Sequence, residues 1–155
     1  MFNQYFSPLD FSVPMDVTAL HLTGNNLTRL TQSMFLGRSR LKKILVKQSN
    51  VHEIENGTFS GLDHLEIINL GYNQLKQLIG HEFIGAVSLR ELYLEHNQLV
   101  TISKETFKHL TQLTVLRLDG NLLIGKKTEL ICLSTFLFII SSGLFVKRTS
   151  QGWQF

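Results

Sequence analysis

A solenoid of 24-residue coils, α/β in class, is the fold this sequence predicts, on three observations. Val17, Leu41, Leu65, Leu89 and Leu113 return at one offset. Phe35, Phe59, Phe83 and Phe107 keep the same interval, and Asn25, Asn73, Asn97 and Asn121 keep it again. A unit of this length cannot bury its apolar face alone, so it must stack on its neighbours.

The units run 17–40, 41–64, 65–88 and 89–112, and a fifth begins at Leu113 and is lost after Leu123. Each opens with the frame L-x-x-L-x-L-x-x-N-x-L-x-x-L. The third unit shows it as Leu65, Ile68, Leu70, Asn73, Leu75, Leu78 and Phe83, the fourth as Leu89, Leu92, Leu94, Asn97, Leu99, Ile102, Phe107 and Leu110. Alternation at Leu92 and Leu94 predicts a short strand with one face buried. Stacking at equal offsets pairs such strands into a parallel sheet. The expected architecture is therefore a leucine-rich repeat horseshoe, with a concave parallel sheet and an irregular convex side.

The asparagines fall where the chain leaves each strand and turns. An amide there offers donors and an acceptor to the main chain and ties one coil to the next. The second unit departs with Ser49, so that rung is expected to be weaker. The phenylalanines fall in the returning convex segment and are expected to fill the space between coils. Both columns are structural and carry no ligand.

Length and composition set the rest. The chain has 155 residues and a net charge of +3, densest at Arg38, Arg40, Lys42, Lys43 and Lys47. The single cysteine, Cys132, excludes an internal disulfide framework. Residues 1–16 form a lead-in, and its start, Met1 to Val13, does not read as a secretory signal peptide. Histidines at 21, 52, 64, 81, 96 and 109 share no metal-ligand spacing. No phosphate loop or nucleophile elbow is present. No enzyme, cofactor or metal is expected. The basic cluster has no stacking aromatics between its charges, which argues against sequence-specific nucleic-acid recognition. A solvated face or a protein contact is expected there.

Binding is the better expectation, because the register predicts which side chains face outward. The third, fifth and seventh positions of each strand project onto the concave surface. They are Ala19, His21 and Thr23; Lys43, Leu45 and Lys47; Ile67, Asn69 and Gly71; Glu91, Tyr93 and Glu95; Val115, Arg117 and Asp119. The patch is basic on the second unit, acidic around Tyr93 and basic again at Arg117. Tyr93, with Leu45, Ile67 and Val115 on neighbouring strands, is the expected anchor, since aromatics often dominate interface energy. The alternative is a merely solvated sheet face.

Longer strings narrow the family. Pro14-Met15-Asp16-Val17-Thr18-Ala19-Leu20 with Leu22-Thr23-Gly24-Asn25-Asn26 resembles the entry to the membrane-proximal repeats of arthropod Toll-family receptors of the Tollo-like branch. Phe35-Leu36-Gly37-Arg38, Asn56-Gly57-Thr58-Phe59-Ser60-Gly61-Leu62 and Gly80-His81-Glu82-Phe83 continue the likeness. So do Leu89-Arg90-Glu91-Leu92-Tyr93-Leu94 and Val115-Leu116-Arg117-Leu118-Asp119-Gly120-Asn121. The resemblance covers about residues 14–123. It implies an extracellular, cell-surface module that binds a protein ligand or co-receptor, with receptor dimerisation as a further expectation, in innate immune or developmental recognition. An adhesive or structural repeat protein is the alternative. Capping cysteines and the Toll/interleukin-type signalling domain of such receptors are not in this sequence, so it reads as a receptor fragment, functional or not. Two sequons, Asn26-Leu27-Thr28 and Asn56-Gly57-Thr58, fit an extracellular chain and mark Asn26 and Asn56 as glycosylation candidates.

After Leu123 the pattern stops, and 124–155 form a divergent apolar tail. Within it, 130–146 carry no charge and are flanked by Lys126 and Lys127 on one side and Lys147 and Arg148 on the other. As a helix of 17 residues the run would reach about 25 Å, the lower edge of a membrane span. Three readings stay open: a membrane anchor, an apolar segment packed over the open end of the solenoid, and translated non-coding sequence.

Overall fold

The computed structural model describes residues 14–123 and, as backbone, four further strands at 130–133, 136–139, 145–149 and 152–154. Residues 1–13 of the lead-in and the remainder of the tail lie outside the described residues.

Each full coil supplies two strands. They are β1 (Ala19–His21) and β2 (Arg29–Leu30), β3 (Lys43–Leu45) and β4 (Glu53–Ile54), β5 (Ile67–Asn69) and β6 (Gln77–Leu78), and β7 (Glu91–Tyr93) and β8 (Thr101–Ile102). The fifth coil supplies β9 (Val115–Arg117). The longer strands pair in parallel in the order β1-β3-β5-β7-β9, and the middle row runs Leu20, Ile44, Ile68, Leu92, Leu116. Every step is the 24-residue period of the sequence. The short strands form two separate parallel pairs on the far side, β2 with β4 and β6 with β8. Turns make up the rest of the convex side, with one 3-10 turn at Gln32–Met34 among the described residues. The fold is a leucine-rich repeat solenoid.

Between the two sides lies one continuous core. Ile44, Ile68 and Leu92 are fully buried, as are Phe59 and Phe107, with Phe35 and Phe83 nearly so. The four rings stack in sequence with centroids 5.8, 5.7 and 6.5 Å apart. A ring on every coil turns a pairwise contact into a spine, and burying each contributes roughly 1.5–3 kcal/mol before entropy is subtracted.

The amide column closes the turns behind the sheet. Asn73 Nδ2 donates to Leu70 O in its own coil at 2.9 Å and to Val46 O in the preceding coil at 2.7 Å. Its Oδ1 accepts from the N–H groups of Ser49 and Val51 at 2.9 and 3.0 Å. Asn97 and Asn121 repeat the donor pair and the bond to the earlier coil's N–H. At the departing rung, Ser49 Oγ bonds the Leu22 and Lys47 carbonyls, and the Leu27 N–H is met by Ser49's own carbonyl instead of a side chain. A hydroxyl has one proton where the amide has two, so the main chain adjusts. Gln48 and Asn50, on either side of Ser49, both take left-handed φ, and the one at Asn50 has no counterpart at Asn26, Gln74 or Gln98.

One of those angles belongs to a second column. Gly24, Gln48, Tyr72, His96 and Gly120 sit one residue before the amide position, and all have φ between 51° and 78°. The turn requires a left-handed residue at that step, and only the two end coils place glycine there.

The tail's backbone is extended. Leu130–Leu133 forms β10 and Phe136–Ile139 forms β11, an antiparallel pair. Strand β12 (Phe145–Thr149) adds antiparallel to β9, with Phe145 opposite Arg117 and Lys147 opposite Val115, and β13 (Gly152–Gln154) pairs with β12. The candidate span at 130–146 is thus not one helix, and among the described residues no helix is long and apolar enough to cross a membrane. Leu113, Leu116 and Leu118, in the last coil, are only 2–4% exposed.

Candidate functional site

The outward face of the concave sheet is built as two rows, set by the alternation of the pleat. The first is Ala19, Lys43, Ile67, Glu91, Val115 and the second His21, Leu45, Asn69, Tyr93, Arg117. Tyr93 therefore stands between Asn69 and Arg117. Ile67 and Val115 flank Glu91 instead, and Leu45 lies one strand further along Tyr93's row. Equal offsets of 24 residues dictate this pairing.

Most of these side chains are half-buried by their neighbours, while His21 and Lys43 are exposed. The Tyr93 hydroxyl donates to Glu91 Oε2 at 2.7 Å. Burial first, and then the bond to Glu91 and its charge, push the Tyr93 phenol up to about 12. Its neutral form is favoured in the folded chain. That contribution is complete below the ordinary phenol value of about 10 and is lost as pH rises through the folded value. An ultraviolet titration is expected to show a tyrosine ionising near pH 12 that the Tyr93→Phe variant lacks. Ionisation of Tyr93 at the ordinary value would contradict the hydrogen bond.

Arg117 donates to Asp119 along one edge of its guanidinium, from Nε to Oδ1 at 3.0 Å and from Nη2 to Oδ2 at 2.9 Å. Burial alone would raise the Asp119 carboxyl, but the bonds to Arg117 and its charge overcome that and hold it below the usual carboxylate range. The pair therefore stabilises the fold above the unfolded carboxyl value, and this is lost as pH falls through the lowered one.

Two sequence expectations are corrected. Glu95, expected on the open face, is 4% exposed. Gly71 on the preceding coil leaves a hollow into which the carboxylate folds, since a Cβ there would stand 2.7 Å from Glu95 Oε1. Its Oε2 has no hydrogen-bond partner. Arg38, expected in the basic cluster, is 4% exposed and donates to the Met34 and Leu36 carbonyls. The cluster is divided further: Lys42 reaches Glu66 at 3.8 Å, and Lys47 Nζ lies 4.5 Å from the centre of the Tyr72 ring.

That last contact belongs to an arrangement missing from the sequence reading. Tyr72 and His96 stack at 4.4 Å along the left-handed column, with Lys47 on Tyr72 and Asp119 3.9 Å from His96 Nε2. Gly120 makes room for it, because a Cβ there would meet the His96 ring at 2.5 Å. The shared offset of Gly24 and Gly120 with Tyr72 and His96 is the signal that could have found it.

The sequon asparagines lie away from the concave face. Asn26 and Thr28 are exposed, and Asn26 Oδ1 accepts from Asn50 Nδ2 at 3.0 Å. Asn56 is exposed, but Thr58 is fully buried and its hydroxyl bonds the Leu30 and Glu55 carbonyls.

Comparison with known proteins agrees with this geometry. The family model described as leucine rich repeat matches residues 39–99 and 88–123. The solved structure titled "Crystal structure of TLR13-ssRNA13 complex" contains a chain that is 33% identical, with a TM-score of 0.68 over 71% of this chain. The match spans 15% of that chain's length. No curated protein matches the chain. The repeats are similar in sequence and shape to the repeat region of a Toll-like receptor, and the chain belongs to the leucine-rich repeat family.

Proposed function

We propose that this chain is a protein-binding repeat module of a Toll-like cell-surface receptor, acting outside the cell in innate immune or developmental recognition. The observation that carries this reading is the concave sheet, whose outward rows set Lys43 on the second coil, Glu91 and Tyr93 on the fourth and Arg117 on the fifth of one rigid scaffold. Solenoids use such extended surfaces to bind other macromolecules and rarely build catalytic clefts. Leu45, Ile67 and Asn69 fill the ground between the charges, and Tyr93 offers the aromatic anchor. Lys47 contributes from the rim. A protein ligand or co-receptor with charges of both signs suits this face. The likeness to a Toll-like receptor supports the family role and the surface location.

A photo-crosslinking residue at position 69, in the chain displayed on cells, is expected to trap a discrete protein partner. The same residue at Val87, which is 48% exposed on the convex side, is expected to trap none. Tyr93→Ala is expected to weaken capture by about tenfold or more, the scale of a dominant interface residue. Equal trapping from both faces, or no change in Tyr93→Ala, would refute the concave assignment.

In this reading Asn26 and Asn56 carry glycans. The exposed Asn26-Leu27-Thr28 segment stays open to modification after folding. At Asn56 the threonine hydroxyl is taken up inside the coil, so transfer there is complete before the second coil closes.

A further inference from the structure

Among the described residues the convex ladder breaks between the second and third coils, and a side chain breaks it. Between the first two coils the Glu55 N–H donates to Leu30 O at 3.0 Å, and between the third and fourth the Ser103 N–H donates to Leu78 O at 2.8 Å. The equivalent bond between coils two and three would run from the Ile79 N–H to Ile54 O. The Ile79 N–H instead donates to Glu82 Oε1, and the Gly80 N–H donates to Glu82 Oε2 at 2.9 Å. Neighbouring coils hold Thr58 and Thr106 at the position of Glu82, and neither intercepts that N–H. Strands β4 and β6 are consequently unpaired with each other, and a cleft of about 810 Å³ opens beside them.

The lining of the cleft is informative. Asn56, a sequon asparagine, is part of it, with Ile79, Gln77, Lys76 and His52, and the charges of Arg29, Glu53 and Glu55 in the same lining are paired with one another. Ile79 is 57% exposed, an apolar patch among donors and acceptors of both kinds. Such a mixture suits a neutral, hydroxyl- and amide-rich ring better than a charged or purely apolar ligand. We propose that this cleft seats the proximal sugars of a glycan on Asn56, an inference that rests on the glycosylated reading above. The sugar is tethered to the wall of its own site, so its effective concentration is high and modest complementarity suffices. One ring lies against Ile79, while Gln77 and Lys76 meet its hydroxyl and acetamido groups.

The chain made in a secretory host with high-mannose glycans provides the test. Mass spectrometry first reads occupancy at Asn56. An unoccupied Asn56 overturns the glycosylated reading and this inference with it. Where Asn56 is occupied, an endoglycosidase that cuts between the first two sugars is applied to the folded protein. Cleavage at Asn56 is expected to be about tenfold slower than in Glu82→Thr, which returns the Ile79 N–H to the ladder and narrows the cleft. Ile79→Asp, an exposed site where folding is not at stake, is expected to speed cleavage comparably. Occupied Asn56 cut equally fast in the parent and in Ile79→Asp would overturn the docking while leaving glycosylation intact.

Discussion

Phe83→Ala is expected to lower the unfolding free energy by about 3–5 kcal/mol, read as a drop in the urea midpoint. Phe83 is 1% exposed and stacks on Phe59 at 5.7 Å and on Phe107 at 6.5 Å. Its removal strips a partner from the ring on each side and leaves a hole between two coils. The backbone has little freedom to fill that hole, because each coil's height is fixed by the parallel sheet across the core. A destabilisation below about 1 kcal/mol would mean that the convex segments collapse freely, and the spine would lose its structural role. Phe35→Ala, with a ring neighbour on one side, is expected to cost less.

Asn73→Ala is expected to be nearly as damaging, on the order of 3–5 kcal/mol, through a different mechanism. The Asn73 amide satisfies the Ser49 and Val51 N–H groups and the Val46 and Leu70 carbonyls, all at 3.0 Å or less. Each left buried without a partner costs about 1–3 kcal/mol. Asn73→Asp discriminates hydrogen bonding from packing. The carboxylate keeps the acceptor for Ser49 and Val51 but loses both donors, so it is expected to fail almost as badly. Asn121 makes comparable bonds while only partly buried, so Asn121→Ala is expected to cost less than half as much. Equal losses at the two sites would assign the effect to helping the turn rather than to burial.

The fold was legible because the solenoid converts a sequence interval directly into a neighbour. Residues 24 apart are row-mates, and the period therefore predicts both the sheet and its register. The site was only half legible. Alternation says that Tyr93 and Arg117 face outward, but not that Arg117 folds onto Asp119 or that Glu95 sinks over Gly71. Those outcomes depend on the volume present one coil earlier, and a glycine there reads in sequence as a turn residue rather than as a hollow. The Tyr93 neighbourhood was misjudged along the strand direction, where rows and not nearness in type decide contact. Glu82 was illegible for a further reason. Whether an N–H bonds a carbonyl across the coil or a carboxylate three residues away is a competition between two geometries, and the sequence shows only that both partners exist.

The antiparallel pairing of β12 with β9 bears on how copies of the solenoid can meet. A parallel sheet made of repeats is polar: one edge is shaped to receive the next coil, and its opposite edge to be received. Left bare, the β9 edge would accept the leading strand of another copy, and head-to-tail addition of that kind has no closure and grows into a filament. Strand β12 lies on that edge in the reversed direction, with Phe145 on Arg117 and Lys147 on Val115. The sheet still extends, but its repeat symmetry ends there, and a second solenoid meets an edge that no longer matches its own.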